Sequence, residues 1–522
     1  MQISNYGSQD IFLTGNPKFS FYKQVYRQHT NFSIETIEHG FLDSIDFGGE
    51  SVAVINKLGD LMSRIYLVID LPQVDLALDR SEIREQALNH ALIKIIKDYL
   101  SENDRVIRSI YNITDIDIIA KTVQNDNRLT YARKQALFAI RDSPDLISDL
   151  YLSDVETLVM YWIRTLSYVP EKILSRLRLL LEKEIPTMEA VLFQKIIASP
   201  KVRQRHDFAW IEEIGHQIID SYDIQIGSET IDTQTGDWLI CYNQLTLDQK
   251  RENYDKMIGN IDSLTTFDDT IKQPYRLIIP LQFWFNRHLG QSLPLISLRQ
   301  DISINLRLKD LDQITVINPD LDIDNLRSQY DINIKDAKLW IDYVFLDSIE
   351  RERFAKYTHE YLIETVQFTQ VDGIVGPDHV AHIRFNHPTK YIIWYYLPTR
   401  SNKLFGGNTT DTSWIRINTQ YISDKSLDSH YYNYLQPYLY FQNSVQEGLN
   451  LYSFCLYPKV NQPSGSINLS RLDGFSIGSV FTKEILDEID CSNDTLQMKV
   501  FAMSYNILRI VGGVGNVAFS RS

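Results

Sequence analysis

The segment "SIETIEHGF" at residues 33–41 is echoed by "LIETVQFTQ" at residues 362–370, and "RIYLVIDLP" at 64–72 is echoed by "YIIWYYLP" at 391–398. All four segments are short and rich in β-branched and aromatic residues, which is typical of strands in a sheet. Because the two patterns recur in the same order, they indicate that the chain contains two similar β halves.

Two weaker repeats follow in the same order. "SINL" starts at Ser303 and again at Ser466, and "DYVFLD" at 342–347 is loosely matched by "SYNILR" at 504–509. The first two repeats lie 329 and 326 positions apart, and the last two lie 163 and 162 positions apart. The first half therefore carries roughly 163 additional residues between Leu71 and Ser303.

The additional stretch has a different periodicity from its surroundings. Between about Leu76 and Pro200 the apolar residues recur at helical spacing, as in "DVETLVMYWIRTLSYVPEKILSRLRLLLEKE" at 154–184. Amphipathic helices of this kind are not stable singly in water, so they should pack on one another. The pattern predicts a compact α-helical insertion at residues 76–205 whose two ends lie close together.

Composition limits the classes of partner and compartment. The 522 residues carry a formal net charge of -15, which disfavours a general nucleic-acid or anionic-membrane partner because the field repels phosphate. Three widely separated cysteines imply no disulfide framework and favour a reducing compartment. The N-terminus has no targeting pattern and no apolar run is long enough to span a bilayer, so cytosol-like surroundings are expected.

Candidate chemical sites are weak. "DHVAHIRFNH" contains His379, His382 and His387, but on a strand His379 and His382 would point to opposite faces and could not share a metal. "GGVGN" at 512–516 lacks the Gly-Lys-Ser/Thr that binds phosphate, and it is predicted to be a turn. We predict no catalytic residue, no cofactor-binding residue and no metal ligand, and hence no enzyme.

The N-terminal arm, residues 1–32, contains aromatic and basic side chains in close succession. A short helix there would place Phe19, Tyr22 and Tyr26 on one face, with Lys23 and Arg27 nearer its edges. Rings interleaved with cations suit a single-stranded nucleic-acid platform. The same spacing suits a helix that packs on protein, and the acidic remainder of the chain favours this second interpretation. We therefore predict that these five residues make assembly contacts.

Seven blocks of this sequence resemble the double jelly-roll major capsid proteins of nucleocytoplasmic large DNA viruses, the giant viruses. Together they cover both ends of the chain and both β halves. The blocks are "YGSQDIFLTGNPKFSFYKQVYRQHTNFSIE", "LMSRIYLVIDLP", "WIEEIGHQIIDSYDIQIG", "YRLIIPLQFWFNRHLGQSLPLISL", "IDYVFLDSIERERFAKYTHEYLIE", "GSINLSRLDGF" and "SYNILRIVGGVGNVAFS".

The resemblance implies a mainly β protein with two tandem eight-stranded antiparallel jelly rolls. The first would occupy residues 33–348 and carry the α-helical insertion, and the second would occupy residues 349–522. It further implies a structural capsid protein of the virion, in which homotrimers form pseudo-hexagonal capsomers of an icosahedral shell assembled in the host cytoplasm. The implied partners are neighbouring capsomers, minor capsid proteins and the inner viral membrane side, with no direct nucleic acid.

Two alternatives belong to other functional classes. A membrane-shaping scaffold of the same fold would form a lattice only transiently during virion assembly, and the sequence does not distinguish it from a permanent shell. A carbohydrate-binding or carbohydrate-processing jelly roll would cluster tryptophans and carboxylates on one sheet. The seven tryptophans are dispersed along the chain, which argues against the carbohydrate class.

Overall fold

The computed structural model describes residues 16–18, 20–24, 26, 28–78, 205–247, 251–319, 321–399, 407–422, 427–492 and 494–519, and in these ranges the protein is mainly β with antiparallel sheets. The strands are β1 (Phe32–Gly40), β2 (Glu50–Ile55), β3 (Leu61–Leu71), β4 (Phe208–Trp210), β5 (Ile219–Ile226), β6 (Glu229–Thr235), β7 (Tyr275–Pro280), β8 (Leu293–Pro294), β9 (Ile302–Leu308), β10 (Thr315–Ile317), β11 (Asp336–Leu346), β12 (His359–Ile374), β13 (Asp378–Ile383), β14 (Pro388–Pro398), β15 (Thr410–Ile417), β16 (Gln420–Tyr421), β17 (Asn450–Ser453), β18 (Ile467–Asn468), β19 (Phe475–Phe481), β20 (Leu496–Val511) and β21 (Val514–Val517).

Short helices occupy the connections between strands. The α-helices are α1 (Ile214–Gln217), α2 (Gly236–Thr246), α3 (Arg251–Ile258), α4 (Asp262–Thr265), α5 (Trp284–Arg287), α6 (Ile323–Tyr330), α7 (Ser348–Lys356), α8 (Gln436–Phe441) and α9 (Lys483–Ser492). One π-helical turn, Tyr431–Leu435, leads directly into α8, and 3₁₀ turns lie at Leu289–Gln291, Leu295–Ser297, Leu311–Gln313 and Leu469–Arg471.

The first half consists of two sheets packed face to face. Their strand orders are β1-β11-β3-β7 and β2-β9-β5-β6. Strand β9 illustrates why the sheets pack, because its sequence ISINLRL buries every second side chain in the core between them. The alternation leaves one polar face and one apolar face, which is the pattern of a half-buried antiparallel sheet.

The second half repeats this arrangement with strand orders β12-β20-β14-β17 and β13-β19-β15-β16. Its own core lies between these sheets and includes Trp394, Tyr396 and Ile477. Gly478 on β19 lies directly beneath the Trp414 ring, and a Cβ atom there would come within 2.2 Å of the ring. The predicted duplication of a β half is therefore confirmed at the level of strands.

The register of the predicted repeats is wrong by one residue. The match aligned Ile65 with Tyr391, but Ile65 faces the core of the first half whereas Tyr391 faces away from the core of the second half. Each half has a β-bulge at the same point, next to Asp342 in the β11–β3 pairing and next to Met503 in the β20–β14 pairing. Because the two bulges correspond, Asp342 and Met503 are equivalent positions. A slip of one residue exchanges the two faces of a strand, so letter similarity alone could not detect it.

The "SINL" match is also wrong. Ser303 lies in β9, whereas Ser466 precedes β18, which pairs with β14 in the way that β8 pairs with β3. The segment equivalent to residues 466–469 is therefore residues 292–295, which lead into β8 and the same 3₁₀ turn. Apolar residues at strand starts are common enough to give such short chance matches.

The predicted insertion leaves the first half between β3 and β5. The two described ends of this stretch lie side by side, since Ala77 forms a bridge with Arg205 and the His206 N–H donates to the Leu76 carbonyl over 3.0 Å. Residues 79–204 lie outside the described residues, so the predicted helices of 76–205 stay a prediction.

Candidate assembly surfaces

The two halves are joined by a third hydrophobic core. Helix α2 of the first half contributes Trp238, Cys241 and Leu245, and the Trp238 ring lies 5.8 Å from the Phe501 ring. These side chains cover the outer face of the sheet β12-β20-β14-β17, where the contacted residues are Val366, Tyr391, Ile393, Tyr395, Leu397, Leu451, Phe501 and Met503. Because this face is apolar, water is excluded and the halves are held in one arrangement.

A buried ion cluster crosses the same junction. Arg287 of the first half donates to Glu364 of the second over 2.8 Å, and Lys390 donates to the other carboxylate oxygen. The Lys390 ammonium also donates to the Pro458 carbonyl over 2.9 Å. Burial lowers the pKa of the Arg287 guanidinium, but Glu364 together with Tyr242, Tyr391 and Asp232 outweighs this effect, so the pKa is raised. Buried charges of this kind persist only when each has a partner.

A second ionic contact lies at the start of α2. Asp237 accepts from Lys499 of the second half over 2.6 Å, and Lys309 lies 3.5 Å from its other oxygen. Burial raises the pKa of the Asp237 carboxyl, but the two ammonium groups overcome this and lower the pKa to about 2. Asp237 therefore stays charged and paired across the junction in mildly acidic solution.

The C-terminal hairpin also links the two halves. Gly512 and Gly513 form the turn between β20 and β21 with φ values of 61° and 91°, as predicted for "GGVGN". The Arg299 N–H donates to the Gly513 carbonyl, and the Gly515 N–H donates to Gln300, each over 2.8 Å. The turn thus serves packing between the halves, and its N–H groups do not form a phosphate cradle.

The N-terminal segment does not form the predicted helix in its described residues. Residues 20–24 form a turn and bends. Tyr22 and Tyr26 are exposed, as are Lys23 and the neighbouring Phe21, while Phe19 and Arg27 lie outside the described residues. A short helix without a surface to pack on is marginal in water, which accounts for the difference. Assembly contacts by this segment stay a prediction.

The helix formed by residues 431–441 carries an exposed apolar surface that was not predicted from the sequence. Tyr434, Leu435, Tyr438 and Leu439 are 41%, 43%, 70% and 54% exposed, while Tyr432 and Phe441 on other sides are buried. We call these four exposed residues the tyrosine-leucine face. The signal was available in the sequence, because "YYNYLQPYLYF" is aromatic or leucine at eight of its eleven positions, and helices this apolar are normally buried over most of their surface.

A buried polar cluster resembles catalytic machinery in composition. His216 Nδ1 lies 3.0 Å from a Glu213 carboxylate oxygen, and its Nε2 lies 2.8 Å from the Tyr254 hydroxyl. Because the carboxylate only accepts, Nδ1–H donates to it. The Asn243 amide lies within hydrogen-bond distance of both His216 Nε2 and the Tyr254 hydroxyl, at 3.1 Å and 2.6 Å. His216 is fully buried and Glu213 nearly so, and no substrate reaches them. The cluster fixes α3, which carries Tyr254, against α1, which carries His216.

The other sequence candidates bring no chemical site together. His379 and His382 lie on opposite faces of β13, with His379 partly buried and His382 exposed, as predicted. Across the ranges that the structure describes, no three His, Cys, Asp or Glu side chains are grouped so that they could hold a metal ion. In the same ranges no helix is both long and apolar enough to cross a bilayer.

Two family models match the chain. "Major capsid protein N-terminus" matches residues 20–161 and 185–347, and "Large eukaryotic DNA virus major capsid protein" matches residues 350–516. A major capsid protein of Pyramimonas orientalis virus is 28% identical, with 100% of this chain and 98% of that protein covered. The corresponding protein of Phaeocystis pouchetii virus is 24% identical, with 100% and 99% covered.

A solved structure shares the fold. The capsid of the virus PBCV-1 contains a chain that superposes with a TM-score of 0.62 at 20% identity, covering 96% of this chain and 100% of that one. The match supports the double jelly-roll capsid fold that the sequence resemblance implied.

Proposed function

We propose that three copies of this chain form a pseudo-hexagonal capsomer of an icosahedral virion shell. The chain belongs to the large eukaryotic DNA virus major capsid proteins, which is the premise of this proposal. The observation that carries the proposal is the junction between the halves, where an apolar core and two ionic contacts hold two similar β units in one fixed arrangement. Three chains with two such units each give six similar units, which is what a hexagonal tile needs.

Each half is, in this proposal, an eight-stranded jelly roll, the first at residues 33–348 and the second at 349–522. Support comes from the four-stranded paths in each half, which repeat the same strand order. Closely packed pairs of sheets limit the number of exposed edge strands, and so they suit a protein that must remain soluble until it assembles.

The stretch 76–205 is proposed to be an α-helical insertion that projects from one end of the first jelly roll and contacts either neighbouring capsomers or another virion component. Support comes from its helical spacing and from the adjacent positions of its two ends at Ala77 and Arg205. The family match includes most of this stretch, so it is not foreign to these proteins.

The N-terminal arm is proposed to contact minor capsid proteins on the side toward the inner viral membrane, after assembly in the host cytoplasm. The exposed aromatic side chains Tyr22 and Tyr26, with Lys23 between them, support this role because an anchor of rings and cations suits a protein interface. Phe19 and Arg27 are included from their sequence spacing alone. The scaffold alternative is less favoured, since both family models that match describe major capsid proteins.

Electron microscopy of the purified full chain tests the proposal. Class averages should show a particle with six similar lobes around one axis. Particles with only two lobes at micromolar concentration would overturn the proposal, because they would be single chains.

A further inference from the structure

The two halves place a helix at the same position in their topology. Helix α2 directly follows β6, and the helix at 431–441 follows β16, the strand that occupies the equivalent edge of the second half. Each helix is anchored to its own half, since Leu239 lies in the first core and Tyr432 in the second, and the Phe441 ring also packs edge-on against Tyr391 over 5.3 Å. The helices are therefore equivalent by the internal repeat.

The outward face of α2 is covered by the other half of the chain, whereas the outward face of the helix at 431–441 is exposed. In α2, the stripe Trp238, Cys241, Tyr242 and Leu245 has the spacing i, i+3, i+4 and i+7 and packs on the sheet β12-β20-β14-β17. On the helix at 431–441, the tyrosine-leucine face occupies the corresponding side and is open to solvent. Apolar surface in this position is covered in one half and uncovered in the other.

The surface that would cover it exists on the first half. The sheet β1-β11-β3-β7 is equivalent to β12-β20-β14-β17, and the shared bulge places Trp340 where Phe501 stands and Tyr66 where Ile393 stands. Trp340 and Tyr66 are partly exposed on its outer face, next to the exposed Arg64. No part of the described chain covers these rings in the way that α2 covers their counterparts.

The chemistry of the two surfaces is complementary. The outer face of β1-β11-β3-β7 mixes rings with charged groups, because the Trp340 indole N–H donates to Glu38 and Lys338 pairs with the same carboxylate over 3.1 Å. Tyrosine is suited to such a mixed face, since its ring packs on apolar area while its hydroxyl hydrogen-bonds polar neighbours. Two of the four residues of the tyrosine-leucine face are tyrosines.

We infer that the tyrosine-leucine face of one copy docks on the outer face of the sheet β1-β11-β3-β7 of a second copy. The contact repeats between chains the junction that joins the halves within a chain, and it deepens the proposed function on which it rests. Because two different surfaces meet, the contact is heterologous, and in the proposed trimer its repetition gives a ring of alternating covalent and docked junctions.

Site-specific photocrosslinking on the full chain tests this contact. With p-benzoylphenylalanine at position 438, irradiation should give a species of twice 60.8 kDa on a denaturing gel. Mass spectrometry should then map the attachment to β3 or β11 around Tyr66 and Trp340. The same probe at position 457, an exposed tyrosine outside the tyrosine-leucine face, is the control and should not label these strands.

Substitution gives an independent readout. Leu435→Asp should convert the trimer to single chains without lowering the thermal midpoint of the monomer, and Tyr66→Glu should do the same from the other surface. Leu456→Asp, an exposed leucine elsewhere, should leave the trimer intact. A trimer that keeps its mass with Leu435→Asp, or crosslinks that map elsewhere, would overturn the inference while leaving the proposed function standing. A wild-type monomer would overturn both.

Discussion

Replacement of Glu364 by Gln should weaken the junction between the halves more than any other isosteric change there. Glu364 holds two buried cations, Arg287 over 2.8 Å and Lys390 over 2.5 Å, and the Lys390 side chain is 1% exposed. An amide of the same shape removes the negative charge and leaves both cations in low dielectric. Removing one partner of a buried pair costs roughly 3–5 kcal/mol, and the presence of two cations places Glu364→Gln at the upper end of that range.

The matched control lies on the same strand. Glu360 pairs with Arg509 over 2.8 Å, but both side chains are more than half exposed. Glu360→Gln should therefore cost only about 0–1 kcal/mol, as surface pairs do. Both variants would be compared with the wild type by urea unfolding followed through tryptophan fluorescence, to which Trp238 at the junction contributes together with the other six tryptophans. Equal shifts of the urea midpoint for the two variants would refute the reasoning.

Four further predictions concern other parts of the chain. Asp237 has a pKa of about 2, below its ordinary value, so its contribution to folding stability is present above pH 4 and is lost as the pH falls toward 2. The difference in thermal midpoint between wild type and Asp237→Asn should therefore narrow between pH 4 and pH 2. A constant difference would contradict the pairing. Gly513→Ala should lower the free energy of unfolding by roughly 1–3 kcal/mol, because φ is +91° and a Cβ would lie 2.5 Å from the Arg299 side chain. Gly474→Ala is the control, and it should be nearly neutral in the same urea assay because the space around Gly474 is open. Deletion of residues 1–30 should leave a folded trimer that assembles poorly in electron micrographs, and tight binding of single-stranded DNA by this segment would instead support the platform interpretation. Replacement of residues 78–204 by a short Gly/Ser linker should leave a folded trimer by circular dichroism and size exclusion, and failure to fold would show that the stretch belongs to the core.

The longer sequence repeats identified correctly which strands correspond between the halves, whereas the four-residue "SINL" repeat did not. β-Branched and aromatic runs recur at 33–41 and 362–370 and at 64–72 and 391–398, and they lie in β1, β12, β3 and β14. Register was not recoverable from the same letters. Both faces of β14 are apolar, one facing the core and one covered by α2, so the alternation that normally reports register is missing.

The surfaces were harder to predict than the strands. Arg287, Glu364 and Lys390 are far apart in sequence, and nothing in their local context marks them as partners across a junction. Tyr254 likewise reaches His216 only in the folded chain, because 38 residues separate them in sequence. The tyrosine-leucine face could have been found, because a helix with eight aromatic or leucine residues among eleven has more than one apolar side to cover.

Native mass spectrometry of the full chain at micromolar concentration tests the central claim most directly. If the chain is a capsomer subunit, it should appear as one trimeric species of three times 60.8 kDa. The trimer should persist at this concentration because an obligate assembly buries on the order of 2,000 Å² or more at each contact. A single stable species of 60.8 kDa under those conditions would contradict the account.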